Sequence, residues 1–143
     1  MSKRILVVDD DPDIRSLVKN AIIMKGHEAI AAGDGFSAVT LAIKYRPDVV
    51  VLDVMMPKMS GFQVCQNLRA RPEFQATPIL FLTAKDNPQD EAWGKKVGAD
   101  EYITKPFEIH QVVAKVEEML ERVQEIEDRP DYDPIDGEVQ FRG

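Results

Sequence analysis

Five times along this chain a short apolar run is followed by a segment with the apolar spacing of a helix, and that alternation leaves few folds open. The runs are Ile5-Leu6-Val7-Val8, about Glu28 to Ala32, Val49-Val50-Val51-Leu52, Ile79-Leu80-Phe81-Leu82 and Tyr102-Ile103-Thr104. Each reads as a strand buried in a sheet. After the first, Ile14, Leu17, Val18, Ala21 and Ile22 fall at i, i+3, i+4, i+7 and i+8, the stripe of a helix with one buried side. Asp11 and Pro12 supply its N-cap and first turn, and Gly26 its end.

The spacing predicts further helices from about Phe36 to Tyr45, stopping before Pro47, and from about Phe62 to Ala70. A fourth opens at Asp86-Asn87-Pro88 and closes near Gly98. Gly94 lies inside it at a cost of about 1 kcal/mol against alanine, so this helix is expected to be the least stable. The fifth carries the stripe Ile109, Val112, Val113, Val116, Met119, Leu120 and Val123. Strict alternation predicts an α/β fold, an open doubly wound five-stranded parallel sheet with right-handed crossovers and helices on both faces.

With 143 residues and 44% hydrophobic content, the chain is expected to form one domain over residues 1–123, followed by an acidic, proline-containing tail or linker over 124–143. Residues 122–143 hold seven acids and three bases, a net of −4 out of the chain's −7, so the acidity is concentrated at that end. Nothing in this balance offers a basic footprint for nucleic acid or an anionic membrane. The single cysteine, Cys65, excludes an internal disulfide and reads as a core residue. No apolar stretch approaches the roughly 18 to 20 residues of a membrane helix, and the basic start Met1-Ser2-Lys3-Arg4 leads into too short a run for a signal peptide. A cytoplasmic setting is expected.

Four of the strands stop on polar residues of complementary chemistry: Asp9-Asp10-Asp11, Asp53, Thr83, and Lys105-Pro106. In a parallel sheet ligands bind beyond the carboxyl ends of the strands, so carboxylates, a hydroxyl and an ammonium group would meet one ligand together. That set suits a magnesium ion and a phosphoryl group. Mg2+ takes octahedral oxygen ligands and needs only one or two carboxylates besides water and phosphate, which Asp9, Asp10 and Asp53 can provide. Lys105 adds a positive charge for phosphoryl oxygens, with the Thr83 hydroxyl and the Ala84 N–H beside it. Singly, Asp53 would pass for a turn residue, Thr83 for a strand end and Lys105 for a solvated charge. Their joint placement is what favours a site.

The motifs Val7-Val8-Asp9-Asp10-Asp11-Pro12, Leu52-Asp53-Val54-Met55-Met56-Pro57, Thr83-Ala84 and Lys105-Pro106-Phe107, in this order, resemble the receiver domain of two-component response regulators over about Arg4 to Val123. The resemblance implies a flavodoxin-like three-layer fold and names Asp53 as phosphoacceptor. It implies Mg2+ binding by Asp10, Asp53 and the Met55 carbonyl, with Asp9 acting through water, and a phosphoryl group held by Thr83, the Ala84 N–H and Lys105. Thr83 and Tyr102 would form the switch, and a cis bond would precede Pro106. The implied donor is a phosphohistidine on a sensor histidine kinase or phosphotransfer protein. By this reading the domain is a switch that catalyses only its own phosphorylation and slow dephosphorylation.

The enzymatic alternative is a phosphatase with an aspartate nucleophile. Such enzymes place a general acid two residues after the nucleophile, where this chain has Met55, which disfavours that activity. A second distraction is Gly33-Asp34-Gly35-Phe36-Ser37-Ala38, which fits a dinucleotide fingerprint and precedes Asp53 by about 20 residues. It follows the second strand and would leave Asp9, Asp10, Thr83 and Lys105 without a role, so it reads as a turn before a capped helix. His27 and His110 have no partner at metal-ligand spacing and read as ordinary polar residues.

Overall fold

The apolar runs become five strands and the striped segments five helices in strict alternation. They are β1 (Arg4–Val8), α1 (Pro12–Met24), β2 (Glu28–Ala32), α2 (Gly35–Tyr45), β3 (Val49–Asp53), α3 (Gly61–Arg69), β4 (Ile79–Ala84), α4 (Pro88–Val97), β5 (Glu101–Lys105) and α5 (Ile109–Glu127), with one 3₁₀ turn at Pro72–Phe74. This computed structural model describes residues 3–84 and 88–128. The expected opening of α4 at Asp86-Asn87 and the expected tail from residue 129 onward lie outside the described residues. Helix α5 continues past residue 123 to Glu127. Among the described residues no helix is long and apolar enough to cross a membrane.

All strand pairs are parallel and the sheet order is β2-β1-β3-β4-β5. Successive residues of a strand face opposite sides, so parity divides the sheet into two faces. Ile5, Val7, Val49, Val51, Leu80 and Leu82 pack with Val18 and Ile22 of α1 and with Val112, Val116, Met119 and Leu120 of α5. Leu6, Val8, Val50, Leu52, Ile79 and Phe81 pack with Ala38 and Ala42 of α2, Val64, Cys65 and Leu68 of α3, and Val97 of α4. Burying each of the Val, Leu, Ile, Met and Phe side chains among these contributes about 1.5 to 3 kcal/mol, which is why continuous apolar runs become central strands.

Local chemistry fixes the helix starts. Asp11 accepts N–H bonds from Asp13 and Ile14, with Pro12 opening the first turn of α1. Ser60 and Gln63 form a reciprocal capping box at α3, which satisfies two donors the helix would otherwise leave unpaired. Gly94 has a packing reason that helix propensity does not show. A Cβ there would come within 2.7 Å of Tyr102 Cε1 and 2.8 Å of Phe81 Cδ2, so the bare backbone lets α4 lie directly on the two rings.

Arg69 fastens the opposite end of this layer. It donates to the carbonyls of Phe74 (2.6 Å), Thr77 (2.7 Å) and Gly98 (2.9 Å), and pairs with Asp100 at 3.0 Å. The end of α3, the approach to β4 and the end of α4 are thereby tied to one side chain.

Candidate functional site

In a sheet of this order the connections from β1 and β3 leave on opposite faces, and a crevice opens between their carboxyl ends. Asp9 follows β1 directly and Asp53 ends β3, so the two carboxylates stand on either side of it. Lys105 ends β5, on the far side of β4, and its long side chain reaches back. Its Nζ lies 3.2 Å from Asp9 Oδ2 and 3.3 Å from Asp53 Oδ1. Asp9 Oδ1 accepts the Asp11 N–H at 2.9 Å, and Asp53 Oδ1 accepts the Met55 N–H at 3.3 Å.

Asp9 is 0% exposed and Asp53 4%, whereas Asp10 faces solvent. Burial pushes the Asp53 carboxyl up from an ordinary 3.8 to about 7, the Asp9 charge adds to the rise, and Lys105 works against it. For Lys105, burial disfavours the ammonium, yet the charges of Asp53 and Asp9 outweigh it and the pKa is raised overall. One ammonium among three carboxylates leaves the crevice with surplus negative charge.

The donor set fits a hard divalent cation. One carboxylate oxygen each from Asp9, Asp10 and Asp53 lies within 4.8 Å of the others, and the exposure of Asp10 leaves room for the waters that Mg2+ retains. Asp9, Asp10, Asp53, Met55, Ala84 and Lys105 line one open cleft of about 750 Å3, whose rim is made apolar by Ile14, Leu17 and Phe107. The Lys105–Pro106 peptide at its edge is cis, as the resemblance implies.

Thr83 and Tyr102 are not brought into this cleft. By parity they belong to the other face: Thr83 follows Phe81 by two positions, and Phe81 pairs in register with Tyr102. The Thr83 side chain is buried, at 2% exposure, and Tyr102 stands edge-on to Phe81 with ring centroids 6.2 Å apart. Adjacent residues of β4, Ala84 and Thr83, thus face the two sides of the sheet at the same strand end.

Two residues shape the site without any motif to announce them. Gly61 donates its N–H to the Val54 carbonyl at 2.9 Å, and a Cβ there would collide with the Asp53 carbonyl oxygen, so α3 can start this close to the acidic strand end only with glycine. Arg15 donates from Nη1 to the Asp9 carbonyl at 2.8 Å. Between Asp53 and Gly61 the chain turns sharply, with the Met59 N–H on the Pro57 carbonyl at 2.8 Å and Lys58 between them at a φ of 69°. That is a three-residue γ-turn of the uncommon, strained hand.

The dinucleotide-like segment is a helix cap. Asp34 accepts the Ser37 N–H at 2.7 Å and the Ser37 hydroxyl at 2.9 Å, and a Cβ on Gly35 would come within 2.7 Å of Met59 Cβ. His27 accepts the Lys3 N–H and its Nε2 lies 3.5 Å from Glu117, while exposed His110 lies 3.5 Å from Glu108. Cys65 is buried, and burial pushes its thiol up to about 11.

Comparison with known proteins gives a consistent result. The family described as "Response regulator receiver domain" matches residues 5–117. The chain is 47% identical to the probable transcriptional regulatory protein TcrX of Mycobacterium tuberculosis, over 82% of this chain and 50% of that protein. It is 42% identical to the DNA-binding dual master transcriptional regulator RpaA of Synechocystis sp., over 86% of this chain and 51% of that protein. The chain therefore spans about half the length of these curated relatives. Among solved structures, chemotaxis response regulator CheY4 of Vibrio cholerae superposes with a TM-score of 0.79 at 34% identity, covering 83% of this chain and 99% of that one. The signal receiver domain of a histidine kinase from Syntrophus aciditrophicus gives a TM-score of 0.81 at 30% identity, with 90% and 97% covered.

Proposed function

The chain belongs to the response regulator receiver family, and on that premise we propose that Asp53 is its phosphoacceptor and that a sensor histidine kinase or phosphotransfer protein supplies the phosphoryl group. The observation that carries this reading is the Lys105 ammonium within 3.3 Å of both Asp9 and Asp53, at the end of an otherwise apolar sheet. A carboxylate oxygen of Asp53 attacks phosphorus, the phosphorus–nitrogen bond of the donor phosphohistidine breaks, and the imidazole leaves with the electron pair. The product is an aspartyl phosphate.

Asp9, Asp10, Asp53 and the Met55 carbonyl would hold Mg2+, which supplies positive charge so that a carboxylate can approach an anionic phosphoryl group. Lys105 and the Ala84 N–H meet the phosphoryl oxygens from the β4–β5 side. Lys105 acts there as a compact point charge, and it is freed for the role when the phosphoryl group takes over its contact with Asp53. The added charge of about −1.5 to −2 draws the buried Thr83 hydroxyl toward the cleft. Movement of that strand end is passed to Tyr102 and to the α4 face, shifting the population of the output surface. In this reading residues 1–123 are the receiver and 124–143 a tail or linker. An output at the level of transcription is what the names of TcrX and RpaA support.

Incubation with a small amidophosphate or acyl phosphate and Mg2+ should add one phosphate to the wild-type protein and none to Asp53→Asn, as read by intact mass. Full labelling of the variant would assign the acceptor elsewhere. Since no acid stands at Met55, generic phosphomonoesters should be hydrolysed no faster than background. Sustained turnover that is lost in Asp53→Asn would instead make the protein a phosphatase.

A further inference from the structure

Asp9 is held through both of its backbone polar groups as well as by its side chain. Its N–H donates to the Ala32 carbonyl at 3.2 Å, and its own carbonyl accepts Arg15 Nη1 at 2.8 Å. That carbonyl belongs to the peptide joining Asp9 to Asp10. The peptide is planar, so the bond from Arg15 restrains the orientation of the plane that carries Asp10, the exposed member of the acidic group. Arg15 stands one turn into α1 and its guanidinium lies against the β2–α2 turn, where a Cβ on Gly33 would come within 2.8 Å of Nη1 and 3.4 Å of Cζ. The same nitrogen thus bonds Asp9 and occupies the space left by the missing side chain of Gly33.

We propose that Arg15 is a positioning residue for the divalent-cation site, and that Gly33 is glycine in order to leave room for it. This rests on the reading that Asp9, Asp10 and Asp53 hold Mg2+. It also gives the Gly33-Asp34-Gly35 segment a second duty beside capping α2: its first glycine shapes the acid site from one loop away.

Charge and position predict opposite signs here. A guanidinium acting only by its charge would repel Mg2+, and removing it would tighten binding. A guanidinium that orients the Asp9–Asp10 peptide does the reverse, and losing an outer-shell partner of this kind weakens metal binding by about 10-fold. Gly33→Ala separates the two further, because it changes no charge. Its Cβ displaces only the tip of a flexible side chain, which moves aside without disturbing the backbone.

The test is calorimetric titration of Mg2+ onto wild-type protein, Arg15→Met, Gly33→Ala and the double variant, with urea midpoints measured in chelator. Each single variant is expected to bind Mg2+ about 10-fold more weakly. The double variant is expected to match Arg15→Met, because the new methyl group then fills vacated space. Unchanged or tighter binding by Arg15→Met, or two factors that multiply in the double variant, overturns the proposal. So does a loss confined to the urea midpoint, which would make Arg15 merely structural. If Arg15→Met does not fold, Gly33→Ala against wild type decides alone, unchanged affinity being the refuting result. Failure of the wild-type protein to bind Mg2+ would remove the site reading itself. Binding that is lost in Asp10→Ala but kept in both Arg15→Met and Gly33→Ala would remove only the role of Arg15.

Discussion

Replacing Asp53 by asparagine should make the metal-free protein more stable at neutral and alkaline pH, even though it deletes the phosphoacceptor. Folding buries this carboxyl beside Asp9 and lifts its pKa from 3.8 to about 7. An acid that holds its proton more tightly when folded gives stability that declines as pH rises from about 4 through about 7 and then levels. One pKa unit corresponds to about 1.4 kcal/mol, so a rise of about three units bounds the cost of the ionised group at about 4 kcal/mol. Asparagine keeps the shape and an oxygen for the Met55 N–H, and the attraction of Lys105 for the ionised carboxyl is already contained in that rise. The expectation is a variant more stable than wild type at pH 8 in chelator, by at most about 4 kcal/mol. The gain should fade as pH approaches 4. Saturating Mg2+ should erode it too, since a ligand at 100 times its Kd stabilises the folded wild type by about 2.7 kcal/mol. Urea unfolding followed by circular dichroism at pH 4.5, 6 and 8, in chelator and in Mg2+, reads all of this. A variant less stable than wild type at pH 8 in chelator, or a gap indifferent to pH, would refute the account of a strained acidic crevice.

Asp10→Ala should abolish stabilisation by Mg2+ while changing the free energy of unfolding in chelator by no more than about 0.5 kcal/mol, because Asp10 is exposed and has no packing to lose; an unchanged Mg2+ response would make the acid pair structural. Thr83→Ala should still take phosphate at Asp53 but show a smaller change in amide exchange across residues 88–107 on phosphorylation. A full exchange response would break the proposed route from phosphate to α4. Gly94→Ala, stabilising by helix propensity alone, should instead cost about 1 to 3 kcal/mol, because the added methyl overpacks against Tyr102 and Phe81. An increase in thermal midpoint would show that α4 does not sit on those rings.

The layout of the sheet was legible because the strands are written as largely apolar runs and four of the five end on a functional residue. Asp9, Asp53 and Lys105 could be placed at strand ends by counting, and strand parity then puts them on one face. The same counting puts Thr83 and Tyr102 on the other face, which strand ends alone do not reveal. What the sequence concealed are contacts between loops. Gly61 touches the Asp53 carbonyl and Arg15 bonds that of Asp9, yet no periodicity marks either residue. Gly94 was legible only as a helix penalty, since the rings it admits come from two other strands. The Gly-Asp-Gly segment shows the converse: a well-formed motif whose residues are accounted for by Ser37, Met59 and Arg15.

The two-sided sheet also has a consequence for how such a domain can be rewired. The acidic cleft opens toward the layer formed by α1 and α5, while Thr83, Tyr102 and Phe81 belong to the layer formed by α2, α3 and α4. Between them stands a wall of five strands, crossed at the β4 terminus by neighbouring residues that look opposite ways. On the function proposed above, the addresses of sender and receiver would be inscribed on separate surfaces of one small molecule. Drift in the lettering of one surface would then leave the other intact, and a lineage could exchange its informant without changing its audience.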